Sequence, residues 1–539
     1  MRRKAFLAAG AVIYAVCALF AAAAAQAPAP LDRTANLGEV LRRGQQLETE
    51  RRWGDALAHY EDAVRQFPEE PSLERRFELS RLHYDLARRY NDPTFCDCLT
   101  QLSGEQALDL YVDLLLKIQA HYVETPDWRQ LVERGMNDLD VALSEPTFVS
   151  RNVQQSAYGA IDAFREELHR TLGSRAIQSR ADAREAARVA AILAQTRLGI
   201  LPSAVVLEFT CGATTALDPY SSYLTPGQLG EVYSQIEGNF VGLGVELKAA
   251  DRDLLVVRVI PNSPAQQGGI RAGDRIIAIG DRQVRNYPME QAANFLQGPA
   301  GSVVEVSVVT PGQEPRRLAI LRQRVDVPSI DEVRIVDPAQ GVAYLKLVCF
   351  QKNTSRDLDL ALWQLHREGM RVLIIDLRGN PGGLLSAAVD VVDKFVDRGI
   401  IVSTRGRNSQ EDFTYSARED GTWHVPLVLL IDQDSASAAE ILAGAIRDHH
   451  RGTIVGVRSY GKGSVQGIFP LKVANCGVRL TTAKFYSPAG KPFSRVGVEP
   501  NVVVRQTAKP AENSATPADD VVLGAALQQA AAQLAVRFQ

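Results

Sequence analysis

The chain has little net charge, few cysteines and only one long apolar run, and each scarcity excludes something. Its 60 basic and 63 acidic residues leave a formal charge of −3 and a pI near 6.3, which argues against bulk electrostatic attraction to nucleic acid. Of six cysteines, Cys17 lies in the N-terminal apolar run, leaving Cys96, Cys98, Cys211, Cys349 and Cys476. An odd, sparse set builds no disulfide framework, even in an oxidising compartment. Cys96-Asp97-Cys98 is one residue short of the C-x-x-C redox spacing, and no second pair completes a zinc site; it reads as a helix-end loop. A single apolar run excludes a polytopic membrane protein. The 46% hydrophobic and 23% charged residues exclude a disordered tail or a collagen. What is present is enough chain for several cores: 539 residues, at roughly 150 per domain, make three or four units.

Arg2, Arg3 and Lys4 precede an apolar stretch from Ala5 to Ala25 that closes in small residues before Gln26-Ala27-Pro28. This is the pattern of a secretory signal over residues 1–25. Cleavage removes three basic and no acidic residues, so 57 remain against 63 and the net charge becomes −6. Left uncleaved, the 21 apolar residues would suffice to hold the chain at a membrane. Either way the bulk of the chain is exported, to the periplasm or cell envelope. Tyr14-Ala15-Val16 ahead of Cys17 is no lipoprotein cleavage box.

Residues 33–100 read as helical hairpins. WGDALAHYEDAVRQFP (53–68) sets Trp53, Ala56, Leu57, Tyr60, Ala63, Val64 and Phe67 at three- and four-residue steps, with Pro68 as a stop. It resembles a single tetratricopeptide hairpin, and an ordinary helical cap fits as well, since about three repeats are needed for a self-supporting array. A second helical region, 104–232, carries Leu108, Tyr111, Val112, Leu115 and Ile118 on one face. Such surfaces serve packing, homo-oligomerisation or adaptor contacts. Residues 507–539 read as a Pro/Ala/Ser linker and a final apolar helix.

From Gly238 the texture changes to short β-rich runs and turns, with a helix-like PMEQAANFLQG at 288–298. In VGLGV, Gly242, Leu243 and Gly244 precede a strand beginning near Val245, a composition that lets successive amides cup an anion such as a terminal carboxylate. A chain entering there could add as a strand, the β-augmentation mode of peptide capture. With SPAQQGGIRAGDRIIAIGDRQV (263–284) following in order, residues 236–324 resemble a PDZ domain.

Residues 325–506 alternate helices and β-branched runs: helix 354–369, strand 372–377, helix 384–398, strand 425–432, helix 437–448 and strand 453–457. Such alternation implies crossovers and a mainly parallel sheet. In LLIDQDSASAAEILAGAIRDH (429–449), Ser437 and Glu440 have the spacing of a capping box, which needs no chemistry. The same position sets a hydroxyl at the positive end of a helix, with the Ala438 amide facing a developing oxyanion. A nucleophilic serine needs a base. His366 and His424 lie elsewhere in this region, while His449 and His450 close the helix that Ser437 opens. Lys462, in GKGSVQ, is the other candidate, provided its pKa falls from about 10.4 toward 7 or 8. Gln466, four residues on, would accept a lysine N–H and aim its lone pair. Gly456 to Lys462 also has P-loop spacing, but Gly463 replaces the Ser/Thr and SVQGIFPL is strand-like where a P-loop needs a helix. DLRGNPGGLL (376–385) is a strand end and turn whose Gly383 amide, or alternatively that of Gly382, would pair with Ala438.

LDPYSSYL (217–224), the PDZ-like segment, DLRGNPGG, SASAAEI, YGKGSVQ and TTAKFYSPAGKPFSRVGVEPNVVV (481–504) occur in one order. Together they resemble the carboxyl-terminal processing peptidases over about 217–506. The resemblance implies a multidomain α/β fold: a crotonase-like protease core, a PDZ-like β domain and an N-terminal all-α region. It implies a serine endopeptidase with a Ser/Lys dyad, Ser437 as nucleophile, Lys462 as base, Gln466 in support and Asp448 matching an aspartate implicated in some members. The PDZ domain would recognise substrate C-termini, and no metal, nucleotide or other cofactor is needed. Ala439 stands where many members have serine, and about 75 residues intervene between the helices at 104–140 and LDPYSSYL. Two rivals are a catalytically silent PDZ adaptor on a protease-like core, and a Ser/Lys amidase or esterase acting on a non-protein substrate.

Overall fold

The computed structural model describes residues 12–14, 36–67, 69–250, 253–287, 292–293, 295–505 and 520–537. The signal segment expected over 1–25 therefore lies outside the described residues except for 12–14, as do residues 288–291 and 294 of the helix expected at 288–298 and the linker up to residue 519. Among the described residues no helix is long and apolar enough to cross a membrane. The chain divides into two compact units, one holding residues 86–236 and 329–539, the other residues 237–328 and the helices up to residue 85.

In the first unit a six-stranded sheet runs in the order Ile330–Asp337, Val342–Leu347, Val372–Asp376, Leu427–Ile431, Thr453–Gly456, Val502–Val503. Only the first pair is antiparallel. The two central strands are buried at every position, as β-branched runs covered on both faces must be. Helices Thr354–Arg367, Leu385–Asp393 and Ala438–Asp448 contribute to the core on one face. On the other lies the C-terminal helix Val521–Arg537, burying Val522, Leu523, Ala526, Ala530 and Leu534. Because Val372–Asp376 and Leu427–Ile431 are parallel neighbours, with Asp376 opposite Leu430, their carboxyl ends release the DLRGNPGG and DQDSASAA turns side by side. Ligand sites in α/β sheets form at such ends.

A second, antiparallel sheet sets Ser464–Pro470 against Gly477–Tyr486, followed by Ile400–Gly406 and Phe413–Ser416. Ser222–Leu224 also pairs with Gly477–Tyr486, and Val12–Tyr14 with Ser464–Pro470. The N-terminal helices of this unit share a core with these strands, including Phe469, Val478 and Leu480. The 75-residue stretch before LDPYSSYL is no loose insertion. Its helix Pro202–Thr215 is buried from Ser203 to Thr214, and helix Arg180–Leu198 buries a row of alanines that permits close approach. Glu208 on the central helix pairs with buried Arg89 and accepts from Tyr90 Oη at 3.0 Å, which satisfies a carboxylate that burial alone would penalise.

The structure corrects one expectation here. Cys96 and Cys98 sit inside helix Pro93–Gln101, not in a loop. Asp92 caps that helix, accepting from Thr94 N at 2.8 Å, and Pro93 takes its first turn, where a missing N–H costs nothing.

In the second unit, helices Leu37–Thr49 and Trp53–Gln66 enclose Val40, Leu47, Ala56 and Tyr60. The β domain is an antiparallel sheet in the order Val245–Ala250, Asp253–Val259, Arg275–Ile279, Val303–Val309, Arg316–Leu321. Asn239–Gly242 pairs with Gln323–Asp326, while Val245–Ala250 begins beyond Gly244 and forms an edge of the main sheet. Gly244 turns the chain between them with φ +83°, a conformation that glycine adopts without a Cβ penalty.

Candidate active site

Ser437 stands where strand Leu427–Ile431 has passed through a short loop into helix Ala438–Asp448. Its backbone is at φ +55°, ψ −112°, a region that non-glycine residues occupy only when their surroundings compel it. The loop supplies the compulsion. Ser435 Oγ donates to Leu377 O at 2.8 Å, Ala436 N donates to Asn380 O at 2.9 Å, and Gly379 N donates to Asp432 Oδ1 at 3.0 Å. Ser437 is 3% exposed. Its hydroxyl lies near enough to the Glu440 amide to outline a capping box, but makes no cap bond of good geometry. That amide donates instead to the Ser437 carbonyl at 2.9 Å.

Glu440 ties the site together. The side chain is wholly buried, and its carboxylate accepts four hydrogen bonds. Oε2 takes Ser437 N at 2.8 Å and Lys462 N at 2.9 Å; Oε1 takes Ser459 Oγ at 2.6 Å and Gly461 N at 2.7 Å. One carboxylate oxygen thus fixes the backbone positions of both Ser437 and Lys462. Burial pushes the Glu440 carboxyl above the usual range, and the four donors offset only part of that rise. The capping-box reading found this residue but only one of its four partners, because the other three come from 19 to 22 residues along the chain.

Lys462 is 2% exposed. Its turn is braced by Arg495 N donating to Gly461 O at 2.8 Å, by Phe485 N donating to Gly463 O at 3.0 Å, and by Val498 N donating to Ser459 Oγ at 2.7 Å. These contacts give the FSRVGVEP run a local role. Lys462 Nζ lies 4.9 Å from the centroid of the Tyr220 ring, within cation–π range. Tyr220 reaches that position because Asp218 folds LDPYSSYL into a turn. Asp218 Oδ1 accepts from Tyr220 N at 2.7 Å and Ser221 N at 3.0 Å, and from Thr481 Oγ1 at 3.1 Å. Sequence reasoning missed Tyr220, although an aspartate two residues before a turn amide was a signal for it.

On the other side of Ser437 runs the Gly-rich turn. Gly382 N donates to Asn380 Oδ1 at 2.8 Å and Gly382 O accepts from Phe350 N at 2.9 Å, so both its polar groups are occupied. Gly383 N and Ala438 N make no hydrogen bond among the described residues. A Cβ on Gly382 would come within 2.8 Å of Ser437 Cβ and 2.9 Å of Ala438 N, and one on Gly383 within 2.0 Å of Phe350 O. With φ +142° as well, Gly383→Ala is expected to lower the melting temperature by several degrees, which a thermal melt checks.

Residues 341–504 match Peptidase family S41, and residues 255–310 match the PDZ domain family. Over 301 residues the chain is 36% identical to the carboxy-terminal-processing protease of Bartonella bacilliformis, covering 55% of this chain and 68% of that one. The chain belongs to this family. It is also 33% identical over 307 residues to the carboxyl-terminal-processing protease of Synechocystis sp., covering 56% of this chain and 71% of that one. The protein is accordingly a serine-type peptidase with a multidomain α/β architecture.

The remaining residues singled out in this peptidase lie in different places. Asp448 ends the helix that Ser437 precedes, about 16 Å of helix away, and accepts from Ala489 N at 3.1 Å beside Arg447. The structure does not bring it to Ser437. Gln466 is buried, but its Nε2 donates to Ser464 Oγ at 2.8 Å and Thr481 Oγ1 at 3.5 Å, and its Oε1 has no partner. The expected Lys462 to Gln466 bond is absent. The strand begins only at Ser464, and a register shift between Val465 and Gln466 breaks the alternation on which that expectation relied. His366 belongs to an aromatic cluster with Trp363 and Trp423, and His449 Nε2 lies 2.7 Å from Ile400 O. Ala439 is fully buried in apolar surroundings, which suits alanine.

Proposed function

We propose that the chain is an exported serine endopeptidase that cleaves proteins near their C-termini. The observation that carries this reading is the shared Glu440 oxygen, which holds Ser437 and Lys462 within one buried site. In the proposed mechanism Lys462 takes the proton of Ser437 Oγ as that oxygen attacks the peptide carbonyl, and returns it to the leaving amine. The N–H groups of Gly383 and Ala438 receive the oxyanion. Gln466 Oε1, buried and unpartnered, is the acceptor available to steady the lysine ammonium. In the PDZ domain the amides around Gly242, Leu243 and Gly244 take the substrate carboxylate, and the chain extends along the edge strand that begins at Val245. Export follows from the N-terminal charge and apolar pattern, which would also provide a membrane attachment if retained.

A fluorophosphonate probe tests the reading: it should label the wild type and not Ser437→Ala. A wild type that stays unlabelled with and without C-terminal peptides would instead favour a silent adaptor. A lysine base further predicts kcat/KM rising from neutral into mildly alkaline pH, as the amine loses its proton. A limb centred near pH 6 would point to a histidine.

A further inference from the structure

The DLRGNPGG turn is held from a direction that the proposed mechanism does not use. Arg378, largely buried, lies between two carboxylates. Its Nε is 3.0 Å from both oxygens of Asp376, the last residue of its strand, and its Nη2 is 2.6 Å from Asp376 Oδ2. Its outer edge is bidentate to Asp520, with Nη1 to Oδ1 at 2.9 Å and Nη2 to Oδ2 at 2.8 Å. Such fork-to-fork pairing fixes orientation as well as distance. Asp520 stands 142 residues further along the chain, beyond the 506–519 segment, and directly before the C-terminal helix. Its Oδ1 accepts from Leu523 N at 2.9 Å and its carbonyl from Gly524 N at 2.9 Å, so it is also that helix's cap. One carboxylate therefore joins the helix on the back of the sheet to the residue that opens the Gly-rich turn. Two residues later, Asn380 donates Nδ2 to Leu347 O at 2.6 Å and accepts from Gly382 N and Ala436 N, which carries the placement on to Gly383 and to the Ser437 loop.

We propose that the C-terminal helix is a positioning element for the active site, acting through the contact of Asp520 with Arg378 to set the Gly383 amide. Asp520 and Arg378 touch no reacting atom. The proposal rests on the oxyanion role given to Gly383, so the experiment has to separate the two. Asp520→Asn retains the apolar face of the helix, its size and a capping oxygen, and removes the charge that holds the guanidinium fork. The full-length chain carrying this substitution is expected to be labelled by the fluorophosphonate about ten-fold more slowly, with kcat lowered to match and KM within two-fold. Asp520→Glu is expected to recover part of the rate. Gln533→Ala serves as the control, because Gln533 secures the same helix through Leu427 O at 3.3 Å and Thr453 Oγ1 at 2.9 Å without touching the turn. If Asp520→Asn slows labelling no more than Gln533→Ala at an equal fall in melting temperature, or leaves the rate unchanged, the proposal is overturned. An unlabelled wild type would overturn the enzyme reading instead.

Discussion

Lys462→Ala is expected to lose about three to four orders of magnitude in kcat, the scale of a missing general base, and to escape fluorophosphonate labelling at Ser437 under conditions that saturate the wild type. Lys462→Arg should be equally inert. Arginine keeps the positive charge but stays protonated at any usable pH, so the pair of variants separates a base from a mere cation. Neither change should unfold the chain, because the contact with Glu440 is made by the Lys462 backbone N–H, which any residue supplies. The measurements are peptide cleavage, probe labelling and a thermal melt. A Lys462→Arg enzyme with more than a few per cent of wild-type kcat would remove lysine from the proton path.

Glu440→Ala has the second-largest expected effect, and its cause is different. The substitution strands four buried donors, Ser437 N, Lys462 N, Ser459 Oγ and Gly461 N, each costing about 1–3 kcal/mol when left unmatched. Relaxation and water entry would recover part of that, so a loss of several kcal/mol and at least 100-fold in kcat is expected, with a clear fall in melting temperature. Glu440→Gln should be milder. The Ser459 hydroxyl can turn to accept from the new amide, leaving Gly461 N–H as the main donor without a partner. A Glu440→Gln protein with wild-type kcat and wild-type melting temperature would show that the four-bond clamp is dispensable.

These two residues also mark how far the sequence could be read. The placement of Ser437 at a helix start, of Lys462 in a turn, and the β-α alternation of the core were legible because each is local: a strand, a turn and a helix start within a dozen residues. Glu440 was visible only as a helix cap, since three of its partners reach it from another loop. Gln466 was singled out both by resemblance and by counting along a strand, and the direct bond that the count implied is not made, because a register shift that no residue type announces lies between Val465 and Gln466. Asp448 was placed by resemblance alone, and the helix carries it to the opposite end from Ser437. The C-x-C loop was avoidable, because Asp92-Pro93 is a helix-start signal. The packing of residues 141–216 into the N-terminal core was not, because alanine-rich helices of low amphipathicity do not reveal which neighbour they approach. The tie between Arg378 and Asp520 joins two motifs separated by more than a hundred residues, beyond any local pattern.

The β domain leaves and re-enters the chain through a narrow ribbon. Asn239–Gly242 runs antiparallel to Gln323–Asp326, and Val327 N donates to Gly238 O at 2.8 Å. Its two ends are therefore neighbours, so the whole module can be exchanged or excised at the level of the gene with a join of only a few residues. The same property makes the ribbon a place at which an engineer could graft a different recognition domain onto an unchanged hydrolytic core.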